Sequence, residues 1–262
     1  GCEALLSRPA AALVGSRRAT GYGRRTAARL AEALGRSGVV VVSGLALGID
    51  GAAHRGAGAR NTIAVLGCGV DVPYPPRHDR LHEAIGREGL LVSERPPGTP
   101  PFAFLFPERN RIIAALSSAV VVVEAPEPSG ALITADRAFQ LNRPVFAVPG
   151  PLGRREYEGS NARIRDRVAR LVTGAGEVLK ELGLDVPADF DDLPPPDLEG
   201  VGLALWRAVG RDARHADALA DAVGLDTAQG LASLLALELQ GHLTQLPGMR
   251  FARTRTAAAG AG

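Results

Sequence analysis

The chain has 262 residues, of which 46% are hydrophobic and 22% are charged, which is enough for one large folded domain and a smaller one. No apolar run approaches the roughly 18 residues that a membrane span requires. The first residues lack the pattern of a signal peptide, and two cysteines are too few for a disulfide framework. We therefore expect a cytoplasmic protein without membrane association. Because the chain does not begin with Met, we also expect an N-terminal segment to be missing.

The net charge of +2 is unevenly distributed along the chain. Residues 1–183 contain 24 basic and 17 acidic side chains, residues 184–198 contain five acidic and no basic ones, and residues 199–262 contain six of each. Arginine accounts for all the basic residues except Lys180. A GC-rich genome produces such a bias by itself, although arginine also suits phosphate and base contacts. The bias is compatible with a nucleic-acid role and does not establish one.

Short apolar runs alternate with amphipathic stretches of helical length. The predicted strands are Ala11–Gly15, Val39–Ser43, Thr62–Gly67, Leu90–Glu94, Ala119–Glu124, Val145–Val148 and Arg170–Thr173. The predicted helices are Arg24–Arg36, His78–Ile85, Asn110–Leu116, Leu132–Leu141 and Ala175–Leu182. Strands that are apolar throughout are typical of parallel sheets buried on both faces. The pattern predicts an α/β fold over residues 1–183, an extended Rossmann-like, mostly parallel sheet with helices on both faces.

The rest of the chain predicts a small second domain. Residues 184–198 are rich in acid and proline, which indicates a linker. Three helices, Val201–Val209, His215–Val223 and Thr227–Leu239, precede a hairpin of His242–Leu246 and Met249–Ala252. We expect Asp226 to cap the third helix. This arrangement predicts a winged helix domain over residues 199–256, followed by a disordered tail at 257–262.

Small and basic residues follow the first two strands. Gly15, Ser16, Arg17 and Arg18 follow the first, where the N–H groups at the start of the next helix favour an anion site. Ser43 and Gly44 follow the second, and we expect Ser43 to donate a hydrogen bond to a phosphate and the glycine to let a ligand approach. Neither loop carries a dinucleotide fingerprint. Asp50, further along, is interpreted as a helix cap.

Three later segments supply further candidate binding residues near the carboxyl ends of the strands. Phe106, Arg109, Asn110 and Arg111 combine an aromatic ring for base stacking with arginines that neutralise phosphate. In the structural alternative, Phe106 is a hydrophobic staple and the arginines are solvated; Pro107 indicates a helix start in both cases. Ser129 and Gly130 form another anion-binding turn, and Asn161 is suited to a base, a phosphate or a helix cap. No motif for a cofactor or metal emerges.

Five loops, taken in chain order, resemble the successive signatures of the DNA-processing protein A (DprA/Smf) family. They are Val14–Arg17, Ser43–Asp50, Phe106–Leu116, Ser129–Thr134 and Gly159–Asn161. The resemblance implies a homodimer formed through the Rossmann-like domain that binds single-stranded DNA in a basic pocket. It also implies protection of incoming DNA and loading of the RecA recombinase during natural transformation, without a catalytic reaction. Ser16, Arg17, Ser43 and Gly44 would form the phosphate-gripping turns. Phe106, Arg109, Asn110 and Arg111 would form the pocket wall, and Asn161 its far edge.

Several positions depart from the family pattern. Glu108 stands where the family often has a basic residue, and Ala131 replaces a usual serine. Ala103 lies near a position that is often basic. These departures lower the expected affinity for DNA more than they affect the fold.

The sequence also allows two other functions. One is a nucleotide phosphoribohydrolase resembling the LOG-type proteins, but the loop Pro126–Gly130 lacks the glycine cluster of that class, and Asp136 stands where a catalytic Glu is wanted. The other makes the winged helix domain a sequence-specific regulator. Its zero net charge argues against that role, because duplex binding depends on phosphate neutralisation.

Overall fold

A computed structural model describes residues 1–186, 198–210 and 212–254. The chain forms two compact units, residues 1–191 and residues 192–262. Most of the predicted linker and all of the predicted disordered tail lie outside the described residues.

The first unit is built on a sheet of seven parallel strands. They are β1 (Ala10–Gly15), β2 (Val40–Ser43), β3 (Thr62–Val65), β4 (Leu90–Val92), β5 (Ala119–Glu124), β6 (Val145–Ala147) and β7 (Arg170–Leu171). The strand order is β4-β3-β2-β1-β5-β6-β7, and every pair is parallel. All seven predicted strands are confirmed, with shorter carboxyl ends in four of them.

Helices connect these strands. They are α1 (Gly21–Arg36), α2 (Ile49–Ala57), α3 (Asp79–Glu88), α4 (Leu105–Ala115), α5 (Gly130–Gln140), α6 (Glu158–Arg165) and α7 (Ala175–Glu181). Helix α4 begins five residues earlier than predicted, so Pro107 is its third residue and not its first. Helix α6 was not predicted, because the sequence of Glu158–Arg165 has only a weak apolar stripe.

The core forms because alternate strand residues point to opposite faces of the sheet. On one face Ala12, Val14 and Val122 pack with Ile113 of α4 and Leu132 of α5. Helices α1 and α2 pack against each other and against the central strands. This arrangement leaves the carboxyl edge of the sheet lined by loops, where side chains from several strands meet.

The second unit has the predicted winged helix fold. Helices α8 (Gly200–Val209), α9 (Ala216–Ala222) and α10 (Thr227–Leu239) are accompanied by strands β8 (Arg214–His215), β9 (Leu243–Leu246) and β10 (Arg250–Arg253). Strand β8 was not predicted; it pairs with β10 and makes the hairpin a three-stranded antiparallel sheet. The side chain of Asp226 caps α10, as predicted, by accepting from the Gln229 N–H at 2.8 Å. No helix within the described ranges is long and apolar enough to cross a membrane.

Candidate functional site

The direction of winding reverses between β1 and β5. These strands are neighbours, but β2 lies on the outer side of β1 and β6 on the outer side of β5. In such sheets the loops at the reversal separate and leave a crevice at the carboxyl ends of the strands. A cavity of about 170 Å³ lies there. Seven of the predicted site residues line it: Gly15, Arg17, Phe106, Arg109, Asn110, Ser129 and Gly130.

Arg17 and Phe106 form the polar and aromatic parts of the cavity wall. The Arg17 guanidinium carbon lies 5.1 Å from the centre of the Phe106 ring, within the range of a cation–π contact. Tyr74 stacks on Phe106 at 5.4 Å between ring centres, with an angle of 24° between the planes. Arg17 is exposed and forms no ion pair with any described residue. Its charge therefore remains available to an anion.

The N-terminus of α5 forms a second wall. Ser129 caps this helix by accepting from the Ala131 N–H at 3.2 Å. The Asn110 amide, largely buried, donates to the Gly130 carbonyl at 3.0 Å and so ties α4 to the start of α5. Because Gly130 and Ala131 line the cavity, the positive end of the α5 dipole lies at its edge. Asn110 thus supports the wall that Arg17 faces.

Arg109 lines the cavity but is held by the protein itself. Its side chain is 5% exposed, and the guanidinium donates to the Gly44 carbonyl at 2.8 Å and to the Val65 carbonyl. Burial lowers the pKa of Arg109 to about 10, so it stays charged at neutral pH. The sequence predicted that Arg109 neutralises phosphate; the structure shows a buried cation that joins the ends of two strands. Gly44 accordingly lies against this side chain and does not line the cavity at the reversal.

The predicted roles of Ser43 and Asp50 are wrong. Ser43 is fully buried and donates to the Leu13 carbonyl at 2.6 Å, so its hydroxyl ties β2 to β1 and cannot reach a phosphate. Asp50 does not cap α2, because Gly48 occupies the cap position. Its buried carboxylate accepts from the Gly44 N–H at 3.1 Å and closes the preceding loop. Burial raises the pKa of Asp50, and the charge of Arg109 opposes that shift.

The start of α1, predicted as an anion site, already holds an anion from the chain. The buried Glu124 carboxylate accepts from the Thr20 N–H at 3.0 Å and from the Thr20 hydroxyl at 2.6 Å. The Thr20 hydroxyl oxygen in turn accepts from the Gly23 N–H and caps the helix. The Ser16 hydroxyl accepts from the Arg18 N–H at 3.1 Å, which uses a second donor of the loop. An acid at the end of an apolar strand was the only sequence signal for this arrangement.

The remaining predicted residues lie outside the cavity at the reversal. Arg111 is exposed and paired with Glu94. Arg18 is also exposed. Gly44 lines a smaller neighbouring cavity of about 70 Å³, which shares Arg17 and Phe106 with the larger one. Asn161 does not cap a helix: its amide donates to the Gly150 carbonyl and accepts from the Gly150 N–H, both at 3.0 Å.

The fold and this cavity define a Rossmann-like α/β protein with a C-terminal winged helix domain. The chain belongs to the DNA recombination-mediator protein A family, whose model matches residues 1–183, and the DprA winged helix model matches residues 189–249. The resemblance to the DprA/Smf family is thereby confirmed.

Curated relatives include Protein Smf of Escherichia coli, which is 41% identical over 90% of this chain. The putative DNA processing protein DprA of Mycobacterium tuberculosis H37Rv is 42% identical over 97% of it. In each case the match covers 66% of the relative, so the chain spans about two thirds of the length of these curated relatives.

Solved structures that are similar to the chain include two DNA processing A proteins. DNA processing protein A of Streptococcus pneumoniae superimposes with a TM-score of 0.62 at 43% identity, covering 68% of this chain and 62% of that one. The protein from Helicobacter pylori, described with its single-stranded DNA binding mode, gives 0.66 at 32% identity, covering 70% and 84%.

Proposed function

We propose that this chain binds single-stranded DNA at the cavity between Arg17, Phe106 and the start of α5. The observation that carries the proposal is the combination of an exposed arginine, which forms no ion pair among the described residues, and an aromatic ring at 5.1 Å. An arginine for phosphate beside an aromatic ring for a base is the usual pairing in single-strand sites. The single-stranded DNA binding mode described for the Helicobacter pylori relative supports this proposal.

The geometry favours an unpaired base over a duplex. Phe106 is half-buried in a concave site of about 170 Å³, so a base must leave the double helix to reach it. Unpairing and unstacking a base in a duplex cost a few kcal/mol, which a single strand does not pay. The site is therefore selective for single strands, without reading a particular sequence.

The wider role follows the family resemblance. We propose that the protein protects incoming single strands and loads the RecA recombinase onto them during natural transformation, in the cytoplasm. A homodimer formed through the first unit would place two such cavities on one particle. Two linked sites increase the affinity for a long strand through effective concentration, without any new contact.

The hydrolase alternative gains no observation in its favour. Asp136, which stands where a catalytic Glu would be wanted, is half exposed and forms an ion pair with Arg163 at 3.1 Å. That contact uses the carboxylate to join α5 to α6. Incubation with AMP followed by an assay for released adenine separates the two functions, and we expect no adenine.

The direct test compares a single strand with a duplex of the same sequence by gel shift at two salt concentrations. We expect tighter binding of the single strand, weakening as salt rises because counterions are released from the phosphates. Equal affinity for the duplex, or binding insensitive to salt, would contradict the proposal.

A further inference from the structure

We propose that a second cavity, formed by Tyr22, Arg154 and Tyr157, is an additional subsite for the same single strand. It would take a nucleotide adjoining the one in the first cavity. This inference rests on the proposed function. The cavity has a volume of about 520 Å³. Its lining residues are Thr20, Tyr22, Pro149, Gly150, Pro151, Arg154 and Tyr157.

The floor of this cavity is rigidly held. Tyr157 is 4% exposed, and its hydroxyl lies 3.1 Å from the Thr20 hydroxyl, which itself donates to buried Glu124. The ring lies so close to Gly150 that a side chain at position 150 would overlap it. Asn161 fixes Gly150 through its two hydrogen bonds. Asn161, which the sequence predicted to contact DNA directly, thus shapes the wall of this cavity.

The groups at the mouth match a nucleotide. Tyr22 is 40% exposed and presents an aromatic ring on which a base can stack. Arg154 is exposed and forms no ion pair within the described part of the chain. Two prolines complete an apolar wall beside the ring. A stacking surface next to an unpaired cation repeats the chemistry of the first cavity.

One segment of the chain contributes lining residues to both cavities. Arg17 lines the first, Thr20 and Tyr22 line the second, and the segment between them contains the exposed Arg18. Both open at the carboxyl edge of the sheet, since α1 follows β1 and Pro149 follows β6. A backbone passing from one to the other crosses this basic segment. That continuity favours one extended strand over an unrelated ligand in the second cavity.

The experiment measures affinities for thymidine 5′-monophosphate, a short ligand that fills one cavity only, and for an oligothymidylate of about 16 nucleotides, the upper end of the span of known single-strand sites. Wild type, Tyr22→Ala, Tyr22→Phe, Arg154→Ala and Arg143→Ala are compared. Arg143 is an exposed arginine before β6, at the opposite edge of the sheet, and serves as the charge control. Thermal unfolding of each variant verifies the fold.

We expect Tyr22→Ala to weaken binding of the longer strand by about 5- to 150-fold, the range for one stacked base. Binding of the mononucleotide should be little affected, and Tyr22→Phe should retain wild-type affinity. Arg154→Ala should also weaken the longer strand, and Arg143→Ala should not. Equal affinity of wild type for both lengths, or no effect of the two alanine variants, would overturn this inference alone. Failure of wild type to bind the longer strand would overturn the proposed function with it.

Discussion

The Glu124 carboxylate accepts hydrogen bonds from both donors of Thr20, the backbone N–H at 3.0 Å and the hydroxyl at 2.6 Å. This contact joins the end of β5 to the start of α1 and places the chain's own carboxylate at the start of that helix. The anion site that we propose therefore lies at the start of α5, where Arg17 lines the same cavity.

Gly23 makes this contact possible, and its replacement provides a test. A Cβ at position 23 would overlap the Glu124 carboxylate. Alanine in a helix interior normally stabilises by up to about 1 kcal/mol relative to glycine. We expect Gly23→Ala to lower the melting temperature instead. In the control, Gly21→Ala, the added Cβ meets only the end of the flexible Arg25 side chain at 3.3 Å. Equal melting temperatures for the two variants would show that Glu124 is not held as described.

The buried His54 ring is expected to make the folded protein less stable in acid. Its Nε2 accepts from the Leu45 N–H at 3.3 Å, and its Nδ1 lies 2.6 Å from the Thr62 hydroxyl, which donates to the Val41 carbonyl. These partners fit a neutral ring, and burial lowers the pKa of His54 to about 3 from 6.5. The unfolded chain therefore binds a proton between those pH values that the folded chain does not. Stability from this group is complete above pH 6.5 and falls as pH drops towards 3.

The slope is at most about 1.4 kcal/mol per pH unit for one proton. Denaturant unfolding of wild type and His54→Gln between about pH 6 and pH 4 isolates the contribution of His54 to this slope. Asp50, whose pKa is raised, shifts stability in the opposite direction, but it does so in both proteins. We expect the wild type to lose stability more steeply. Parallel curves would contradict the neutral buried ring.

We expect the Arg109 side chain to contribute more to the stability of the fold than to the affinity for DNA. Removing its guanidinium leaves the carbonyls of Gly44 and Val65 without their donor, and each buried unpaired group costs about 1–3 kcal/mol. Arg109→Ala should therefore lower the free energy of unfolding by several kcal/mol, measured by urea denaturation. The exposed Arg111 offers the matched control, and Arg111→Ala should change it by less than about 1 kcal/mol. A fully stable Arg109→Ala would show that the side chain is not structural.

The winged helix domain is expected to bind duplex DNA weakly. Arg250 donates to the Ala213 carbonyl at 2.7 Å, and Arg253 lies over the Trp206 ring at 3.6 Å. Helix α10 offers Gln229 and Glu238 in place of basic residues. Titration of residues 199–262 with duplex DNA near physiological salt should give a Kd no tighter than about 1 µM, the non-specific range. Nanomolar binding would make this domain a DNA reader.

The sequence was sufficient to predict the sheet, because β1, β2 and β5 are continuous apolar runs. Strands of this kind are buried on both faces, as in the centre of a parallel sheet. It located the carboxyl-edge loops for the same reason. It did not distinguish residues that face the cavity from residues that face neighbouring backbone. Ser43 ends strand β2 and Arg109 lies in the first half of α4, positions that are typical of ligand-binding groups, yet both side chains donate to backbone carbonyls at the ends of strands or just after them. Such pairings depend on tertiary contacts that sequence spacing does not encode.

The central claim is that Arg17 contributes its charge to a bound single strand. The most direct measurement is the dependence of single-strand affinity on salt for wild type, Arg17→Ala and the control Arg143→Ala. Loss of one phosphate contact should weaken binding and reduce the slope of log affinity against log salt by roughly 0.7. Arg143→Ala should leave both unchanged. A weaker Arg17→Ala with the wild-type slope, or an unaffected one, would contradict the account.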